Sequence, residues 1–238
     1  NNYLLNIITL SKQRLQVKPK MQRPSNRSYS LRGNRMTRAQ TLAINQHWAS
    51  YGLVIDEELN LNDLFPDKKL VILEIGSGMG EATAEIAQVS VEVGYVAVEM
   101  HQPGLAALIL LILEKQLSNI KLIREDATYL LANFIADNSI DGIHLLFPDP
   151  WPKNRQHKKR MVQSEFVELV ARKLKPNGFI HIATDWQPYA NWIKSRFDAN
   201  PSFTGGIVAR PSWRVLSKFE GQGLKKGHSV TDFRYIKN

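Results

Sequence analysis

A glycine-rich turn directly follows an acidic residue at positions 74–80, which read Glu-Ile-Gly-Ser-Gly-Met-Gly. Glycines such as Gly76 and Gly78 allow a tight turn and the close approach of a ligand to the backbone. The spacing G-x-G-x-G differs from the dinucleotide pattern G-x-G-x-x-G, and the Lys-Ser/Thr pair of a phosphate-binding loop is missing. Because the carboxylate of Glu74 would repel a pyrophosphate and attract an ammonium group, the turn predicts a ligand with a positive charge.

Two more carboxylates follow the next two apolar runs of the sequence. Glu99 is placed to accept hydrogen bonds from both hydroxyls of a ribose, and Asp126 is placed to read an adenine edge. Each of the three carboxylates, taken alone, also suits the N-terminus of a helix, whose dipole favours a negative charge. Their common position at successive strand ends favours a shared ligand site.

A proline-rich loop with a basic continuation offers a second chemical centre. Residues 147–153 read Phe-Pro-Asp-Pro-Trp-Pro-Lys, and the basic run of residues 154–160 follows. Flanking prolines stiffen the backbone around Asp149, although Pro-Asp-Pro also ends ordinary loops and Trp151 can serve packing alone. The five Lys and Arg residues beside Asp149 predict a phosphate-binding surface next to a candidate reaction centre. His157 and the other five His residues show no metal-ligand spacing, so we expect no metal site.

Short apolar runs alternate with helical patterns between residues 69 and 185, which is typical of β-α-β units and a mainly parallel sheet. Because the carboxyl ends of parallel strands meet at one edge of the sheet, the carboxylates should meet there. The predicted strands are residues 70–75, 94–99, 120–124, 140–147 and 178–184, with a turn at 175–178 and a closing strand at 230–236. The predicted helices are residues 81–89, 103–117, 127–136, 164–174 and 188–197, and a further helix begins after Thr37 as its N-cap.

The composition indicates one globular domain, and the near-continuous apolar runs of the predicted strands indicate an α/β fold with helices on both faces of the sheet. Hydrophobic residues make up 43% and charged residues 22% of the 238 residues, close to the globular average. Residues 1–36 mix Pro, Ser, Asn, Lys and Arg without periodicity, so we expect a flexible basic arm before a domain at 37–238. The lack of cysteine in the sequence excludes a disulfide scaffold, a thiolate metal site and a cysteine nucleophile.

Charge is strongly segregated along the chain. Residues 1–55 carry nine basic and no acidic side chains, residues 56–149 carry five basic and 16 acidic, and residues 150–238 carry 17 basic and six acidic. Two basic ends around an acidic middle favour a polyanionic partner, because Lys and Arg neutralise phosphates. A nucleic acid is the leading partner, and an anionic membrane surface is the second.

The hydropathy pattern gives no sign of a membrane span. The longest apolar run, residues 105–113, has roughly half of the ~20 residues that a span needs. The apolar residues 3–10 have basic residues after them rather than before them, unlike a signal peptide. We therefore expect no membrane anchor and a cytoplasmic location.

The glycine turn and its three carboxylates resemble those of the Rossmann-like S-adenosylmethionine-dependent methyltransferases. The cofactor of that family has an ammonium, a sulfonium, a ribose and an adenine, but no phosphate. The resemblance implies a mainly parallel sheet with helices on both faces and an antiparallel closing strand at its C-terminal end.

Four blocks of the sequence resemble, more closely, the bacterial tRNA (guanine-N7-)-methyltransferases. They are residues 31–37, the glycine turn with Glu99, residues 147–160, and Thr184-Asp185-Trp186 together with 217–220 and 227–228. The resemblance implies methyl transfer from S-adenosylmethionine to N7 of a guanine in the tRNA variable loop, at position 46, which forms 7-methylguanosine. It implies a catalytic Asp149; a cofactor site formed by Glu74, Gly76, Gly78, Glu99, Asp126 and Asp149; and tRNA contacts by Lys153, Asp185, Ser217, Lys218, Phe219 and Glu220.

The sequence departs from that family at two positions. Ser217 stands where the family usually has Thr, so a hydroxyl is retained. Gln222 stands where the family usually has Arg, so a guanidinium is missing. These differences bear on the affinity for the substrate rather than on the type of reaction.

N7 of guanine carries a free lone pair, so its methylation needs no general base. We therefore expect Asp149 and Asp185 to stabilise developing positive charge and to orient the base, and Trp151 or Trp186 to stack on it. Methylation of an exocyclic amine or another RNA site remains an alternative. A small-molecule methyltransferase would leave the basic C-terminal third unexplained, and a non-catalytic RNA-binding protein would leave the strand-end carboxylates unexplained.

Overall fold

The computed structural model describes residues 22, 28–29, 33, 35–216, 220 and 229–238. Most of the predicted arm at 1–36 lies outside these residues, as do Gln222 and three residues with an implied tRNA contact, namely Ser217, Lys218 and Phe219.

The described chain forms an eight-stranded sheet at its centre. Its strands are β1 (Gly52–Leu53), β2 (Leu70–Ile75), β3 (Val93–Val98), β4 (Ile120–Ile123), β5 (Ile140–Leu146), β6 (Leu174–Thr184), β7 (Phe203–Val208) and β8 (Thr231–Lys237). Their order across the sheet is β1-β4-β3-β2-β5-β6-β8-β7. The strands from β1 to β6 pair in parallel, whereas β8 is antiparallel to both of its neighbours, β6 and β7.

Helices cover both faces of the sheet. They are α1 (Arg38–Tyr51), α2 (Glu81–Val89), α3 (Gln102–Glu114), α4 (Ala127–Phe134), α5 (Ser164–Lys173) and α6 (Gln187–Asp198). Buried residues of the first three helices share one hydrophobic core with the sheet, and those of the last three share the other. The predicted α/β architecture with an antiparallel closing strand is therefore confirmed.

The strands that the apolar runs predicted are present with small shifts in their ends, but two regions differ. Strand β7 was not predicted, because only Phe203 of its six residues is buried and two glycines interrupt it. The predicted turn at 175–178 lies within β6, which begins at Leu174 and shows a register shift against β5. Asn177 has a φ of 64° in this segment, so the turn signal corresponds to an irregularity inside the strand.

Helix α1 begins where the sequence predicted it. Thr37 and Gln40 form a reciprocal capping box, in which the Thr37 hydroxyl accepts from the Gln40 backbone N–H and the Gln40 side chain accepts from the Thr37 N–H. The Gln40 amide also donates to the backbone oxygen of Pro103 at 3.2 Å. This bond ties α1 to the start of α3, next to the glycine turn.

Candidate active site

The acidic residues singled out by the sequence lie at one edge of the sheet. Glu74 is in β2, whereas Glu99, Asp126, Asp149 and Asp185 each follow a strand within three residues. The strands concerned are parallel neighbours, so their carboxyl ends lie side by side. The structure therefore brings these five carboxylates to a common edge, where open α/β sheets bind ligands.

The glycine turn adopts a backbone conformation that only glycine accepts easily. Gly76, Gly78 and Gly80 have φ angles of 79°, 59° and 79°. A Cβ atom on Gly76 or Gly78 would meet no atom within 4 Å, so the space in front of the turn is open. Behind the turn, a Cβ atom on Gly104 of α3 would lie 2.0 Å from the Gly78 carbonyl oxygen, so this close approach requires glycine.

Glu99 fixes the turn against the neighbouring strand. One carboxylate oxygen accepts the N–H of Gly78 at 3.0 Å, and the other accepts the N–H of His101 at 2.8 Å. Each oxygen can accept more than one hydrogen bond. The carboxylate can therefore hold the turn and still accept the hydroxyls of a ribose.

Glu74 is the most perturbed acid of the site. Its side chain is buried at 3% exposure. Burial raises the pKa of Glu74 to about 7, and the negative charge of Glu99 adds to this rise while the Thr83 side chain opposes it. A cation placed beside Glu74 would favour its ionised form, so the group suits a positively charged ligand.

Asp126 acts as the N-cap of helix α4. One of its carboxylate oxygens accepts the N–H of Tyr129 at 3.0 Å. The structural role that the sequence allowed for this residue is therefore present. Contact with an adenine stays a prediction for this residue.

The loop around Asp149 is held by a buried arginine. Phe147 and Trp151, on either side of Asp149, have φ angles of 53° and 43°. The guanidinium of Arg160 donates from Nε to the Pro150 carbonyl oxygen at 2.9 Å and lies over the ring of Tyr189. The sequence predicted that Arg160 belongs to a phosphate-binding run. This prediction was wrong, because a side chain buried against the loop is not available to RNA.

The negative charge of Asp149 affects the pKa of Tyr189 on the neighbouring helix α6. Burial raises the pKa of Tyr189 to about 12, and the negative charge of Asp149 acts in the same direction. Asp149 itself is half-buried. It therefore lies at the boundary between the core and the open edge, where a ligand could reach it.

The rest of the basic run forms an exposed surface beside this loop. Residues Asn154–Lys159 form a short 3-10 helix. Lys153, Arg155 and Lys158 are exposed, and the Lys159 ammonium lies 4.8 Å from the ring centre of Trp151. The surface next to Asp149 is therefore positively charged, as predicted.

Two further tRNA-contact candidates differ in their accessibility. Asp185 follows β6 and is half-buried, and the next residue, Trp186, is 37% exposed. Glu220, in contrast, is almost fully buried, and both of its carboxylate oxygens accept hydrogen bonds from Arg214. The sequence around Glu220 carries no signal for this burial, because the pairing with Arg214 depends on how the chain folds.

The described residues contain no group of three His, Cys, Asp or Glu side chains that could hold a metal ion. Among the helices of the same residues, none has the length and apolar character needed to cross a membrane.

Comparison with known proteins identifies the family. A family model described as a putative methyltransferase matches residues 68–233. A tRNA (guanine-N(7)-)-methyltransferase of Streptomyces avermitilis is 44% identical over 215 residues, 88% of this chain and 74% of that protein. One from Nitrosomonas europaea is 42% identical over 218 residues, 90% and 97% of the two chains. This chain belongs to the tRNA (guanine-N(7)-)-methyltransferase family.

Solved structures place this member of the tRNA (guanine-N(7)-)-methyltransferase family among proteins with the same fold. The 16S rRNA methyltransferase KamB superposes with a TM-score of 0.56 at 13% identity, over 79% of this chain and 98% of that one. TrmN from Thermus thermophilus gives 0.52 at 18% identity, over 75% and 47% of the two chains. Identities this low support the fold alone.

The edge of the sheet fits S-adenosylmethionine, the methyl donor that the family implies. The space in front of Gly76 and Gly78 is open. The Ser77 hydroxyl between them is buried without a hydrogen-bond partner among the described residues. Glu74 offers a buried carboxylate for an ammonium group, and Glu99 offers acceptors for a ribose. The residues of this family member therefore match the polar groups of the cofactor.

Proposed function

We propose that this protein transfers a methyl group from S-adenosylmethionine to N7 of a guanine in tRNA, at position 46 of the variable loop. The observation that carries the proposal is the position of Asp149, between the open glycine turn and an exposed basic surface. The names and the identity of the relatives support the same reaction. The proposal includes a cytoplasmic location, as expected for an enzyme that acts on tRNA.

The strand-end carboxylates hold the methyl donor in this proposal. When bound, S-adenosylmethionine supplies an electrophilic methyl group on a positively charged sulfur. Glu74 binds its ammonium group, Glu99 accepts the ribose hydroxyls and Asp126 binds the adenine edge. The backbone of Gly76 and Gly78 lies against the cofactor, because these glycines leave the space in front of them open.

Asp149 acts on the guanine as an electrostatic group. N7 carries a lone pair and no proton, so the attack on the methyl group needs no base. The transfer leaves a positive charge on the ring, which a fixed carboxylate stabilises without rearrangement. The Arg160 hydrogen bond to Pro150 keeps the loop in place, so Asp149 is already oriented when the base arrives. Most of the acceleration comes from aligning the nucleophile with the methyl group.

The remaining groups position the tRNA. Lys153 and its exposed basic neighbours bind phosphates. Asp185 orients the guanine, and the exposed ring of Trp186 is the better candidate for stacking on it, because Lys159 already lies over the ring of Trp151. Ser217, Lys218 and Phe219 complete the set of substrate-binding residues in this proposal.

The test is the identity of the product. We expect the protein to transfer label from methyl-labelled S-adenosylmethionine to unmodified tRNA, and nucleoside analysis to give 7-methylguanosine. A transcript with adenine in place of guanine at position 46 serves as the control and should take up no label. Label in an exocyclic-amine product such as N2-methylguanosine, or uptake by the control, would contradict the proposal.

A further inference from the structure

Helix α6 holds the chain immediately after the Asp149 loop, residues 147–160. Tyr189 and Trp192 lie one turn apart on α6 and bind both backbone groups of Val162. The Tyr189 hydroxyl accepts the Val162 N–H at 3.3 Å, and the Trp192 indole N–H donates to the Val162 carbonyl oxygen at 2.6 Å. Because Tyr189 is fully buried, this attachment belongs to the interior of the protein rather than to its surface.

Arg160 connects the two rings of α6 to the residue next to Asp149. Its guanidinium carbon lies 5.1 Å from the ring centre of Tyr189 and 5.0 Å from that of Trp192. Its Nε donates to the carbonyl oxygen of Pro150, the residue after Asp149, at 2.9 Å. A cation is attracted to the face of an aromatic ring, and more strongly where water is excluded. Since Arg160 is 3% exposed, the rings fix the guanidinium that in turn fixes the loop.

The same helix begins at the second segment with candidate substrate contacts. Trp186 is the N-cap of α6 and directly follows Asp185. The Trp186 N–H donates to the Thr184 hydroxyl at 3.3 Å, and the Trp186 carbonyl oxygen accepts the N–H of Tyr189 at 2.9 Å. Helix α6 therefore joins the Asp149 loop to the segment that carries Asp185.

We propose that Tyr189 and Trp192 are positioning residues for the methyl transfer, and that they act through Arg160. They hold Asp149 at a fixed place relative to Asp185, and the inference rests on the proposed function for the roles of these two aspartates. A misplacement of about 1 Å can cost about a hundredfold in rate. Loss of this support should therefore lower the rate of transfer far more than it weakens the binding of tRNA.

Single-turnover kinetics at saturating cofactor test the proposal. Arg160→Met keeps the stem and removes the donor, whereas the pair Tyr189→Phe/Trp192→Phe keeps both rings and removes both hydrogen bonds to Val162. We expect the maximal rate to fall by about tenfold to a hundredfold in each, with little change in KM for tRNA. The combined variant should be no slower than the slower of the two, since both release one loop. Wild-type rates, or effects that multiply, would overturn the proposal.

The salt dependence of tRNA binding separates this role of Arg160 from phosphate binding. If its guanidinium met a phosphate, Arg160→Met would flatten the slope of log affinity against log salt by about 0.9. We expect the wild-type slope, and a flatter slope would overturn the proposal. Arg160→Lys retains a donor and the charge, and should recover part of the rate. The matched control is Arg172→Met, which changes an exposed arginine on α5 and should alter neither the rate nor the slope.

Hydrogen exchange tests the same support without any methyl transfer. Peptides that cover residues 147–160 should exchange about tenfold faster in Tyr189→Phe/Trp192→Phe, as expected for the loss of hydrogen bonds that hold the loop. Peptides that cover the glycine turn should exchange as in the wild type. The single variant Tyr189→Phe serves if the pair does not fold.

The exchange measurement also distinguishes this inference from the proposed function. Failure of the wild-type protein to form 7-methylguanosine contradicts the proposed reaction. Unchanged exchange over residues 147–160 contradicts the positioning role alone. Faster exchange over both the loop and the glycine turn would show a general loss of stability, and would also overturn the positioning role.

Discussion

At the scale of single residues, burial gives neighbouring carboxylates different properties. Glu74 is enclosed by the core and its pKa is raised to about 7. Asp149 is half-buried at the open edge of the sheet. The proton of Glu74 is therefore held up to near neutral pH. In the proposed function, Glu74 meets a cationic ligand and Asp149 meets a charge that develops during the reaction.

The raised pKa of Glu74 predicts a pH dependence of stability for the ligand-free protein. Its folded pKa of about 7 exceeds the reference value of 4.5, so the folded state holds the proton more tightly. The stabilising contribution is complete below pH 4.5 and is lost as the pH rises to 7, for a total of about 3 kcal/mol. Urea unfolding at several pH values should show this loss in the wild type but not in Glu74→Gln. Parallel pH profiles of the two proteins would contradict it.

Replacement of Asp149 should separate catalysis from binding. Asp149→Asn keeps the shape of the side chain and removes the charge, so we expect kcat to fall by about a hundredfold to a thousandfold, far more than the affinity for tRNA or for the cofactor. Single-turnover kinetics at saturating tRNA measure this loss. Lys153→Ala serves as the comparison and should mainly raise KM, because a phosphate contact forms equally in the ground and transition states. Methyl transfer at the wild-type rate by Asp149→Asn would leave Asp149 as a structural loop residue.

At the scale of elements, the glycine turn is fixed by its neighbours. Glu99 beyond β3 accepts the N–H of Gly78 on one side, and Gly104 of α3 lies against the carbonyl of the same residue on the other. Helix α1 then holds the start of α3 through the bond from Gln40 to Pro103. Three elements therefore hold the turn in place and keep the space in front of it open.

The sequence predicted the elements whose residues carry a local signal. Strand β2 begins and ends where its apolar run does, and α1 begins at its capping residue. Strand β7 was missed because only Phe203 of it is buried, so the strand lacks a long apolar run. The burial of Arg160 and Glu220 was also beyond prediction, because each depends on a partner brought near by the fold. Motif spacing thus located the carboxylates, whereas only packing revealed which charged groups face inward.

At the scale of the whole molecule, exposed basic residues lie toward both ends of the parallel strands, and one group of them adjoins the candidate active site. Lys153 and Lys158 belong to the surface beside Asp149. Lys69 and Arg172 are also exposed, but they precede β2 and β6 and so lie toward the opposite edge. A large anion can therefore approach the active site along the first pair without meeting the second.

The salt dependence of tRNA binding should distinguish these two pairs of basic residues. The double variant Lys153→Ala/Lys158→Ala should bind tRNA more weakly, and the slope of log affinity against log salt should flatten by about 0.9 for each phosphate that is no longer neutralised. The matched double variant Lys69→Ala/Arg172→Ala removes the same charge from the far edge and should leave the slope unchanged. Binding titrations between low and moderate salt measure both slopes, and equal slopes in the two double variants would count against the assigned surface.

The position of β8 within the sheet determines when the sheet can be completed during synthesis. It is the last strand of the described chain, yet it lies between β6 and β7. During synthesis the ribosome releases it after all the other described strands, so until then β6 and β7 expose unpaired backbone groups that invite wrong pairing. Asp232, which anchors Arg214, arrives with the same strand. A translation product that stops before residue 231 therefore carries every strand-end carboxylate of the site. Its β6 and β7 lack their partner strand, so their unpaired backbone groups are accessible to chaperones and proteases.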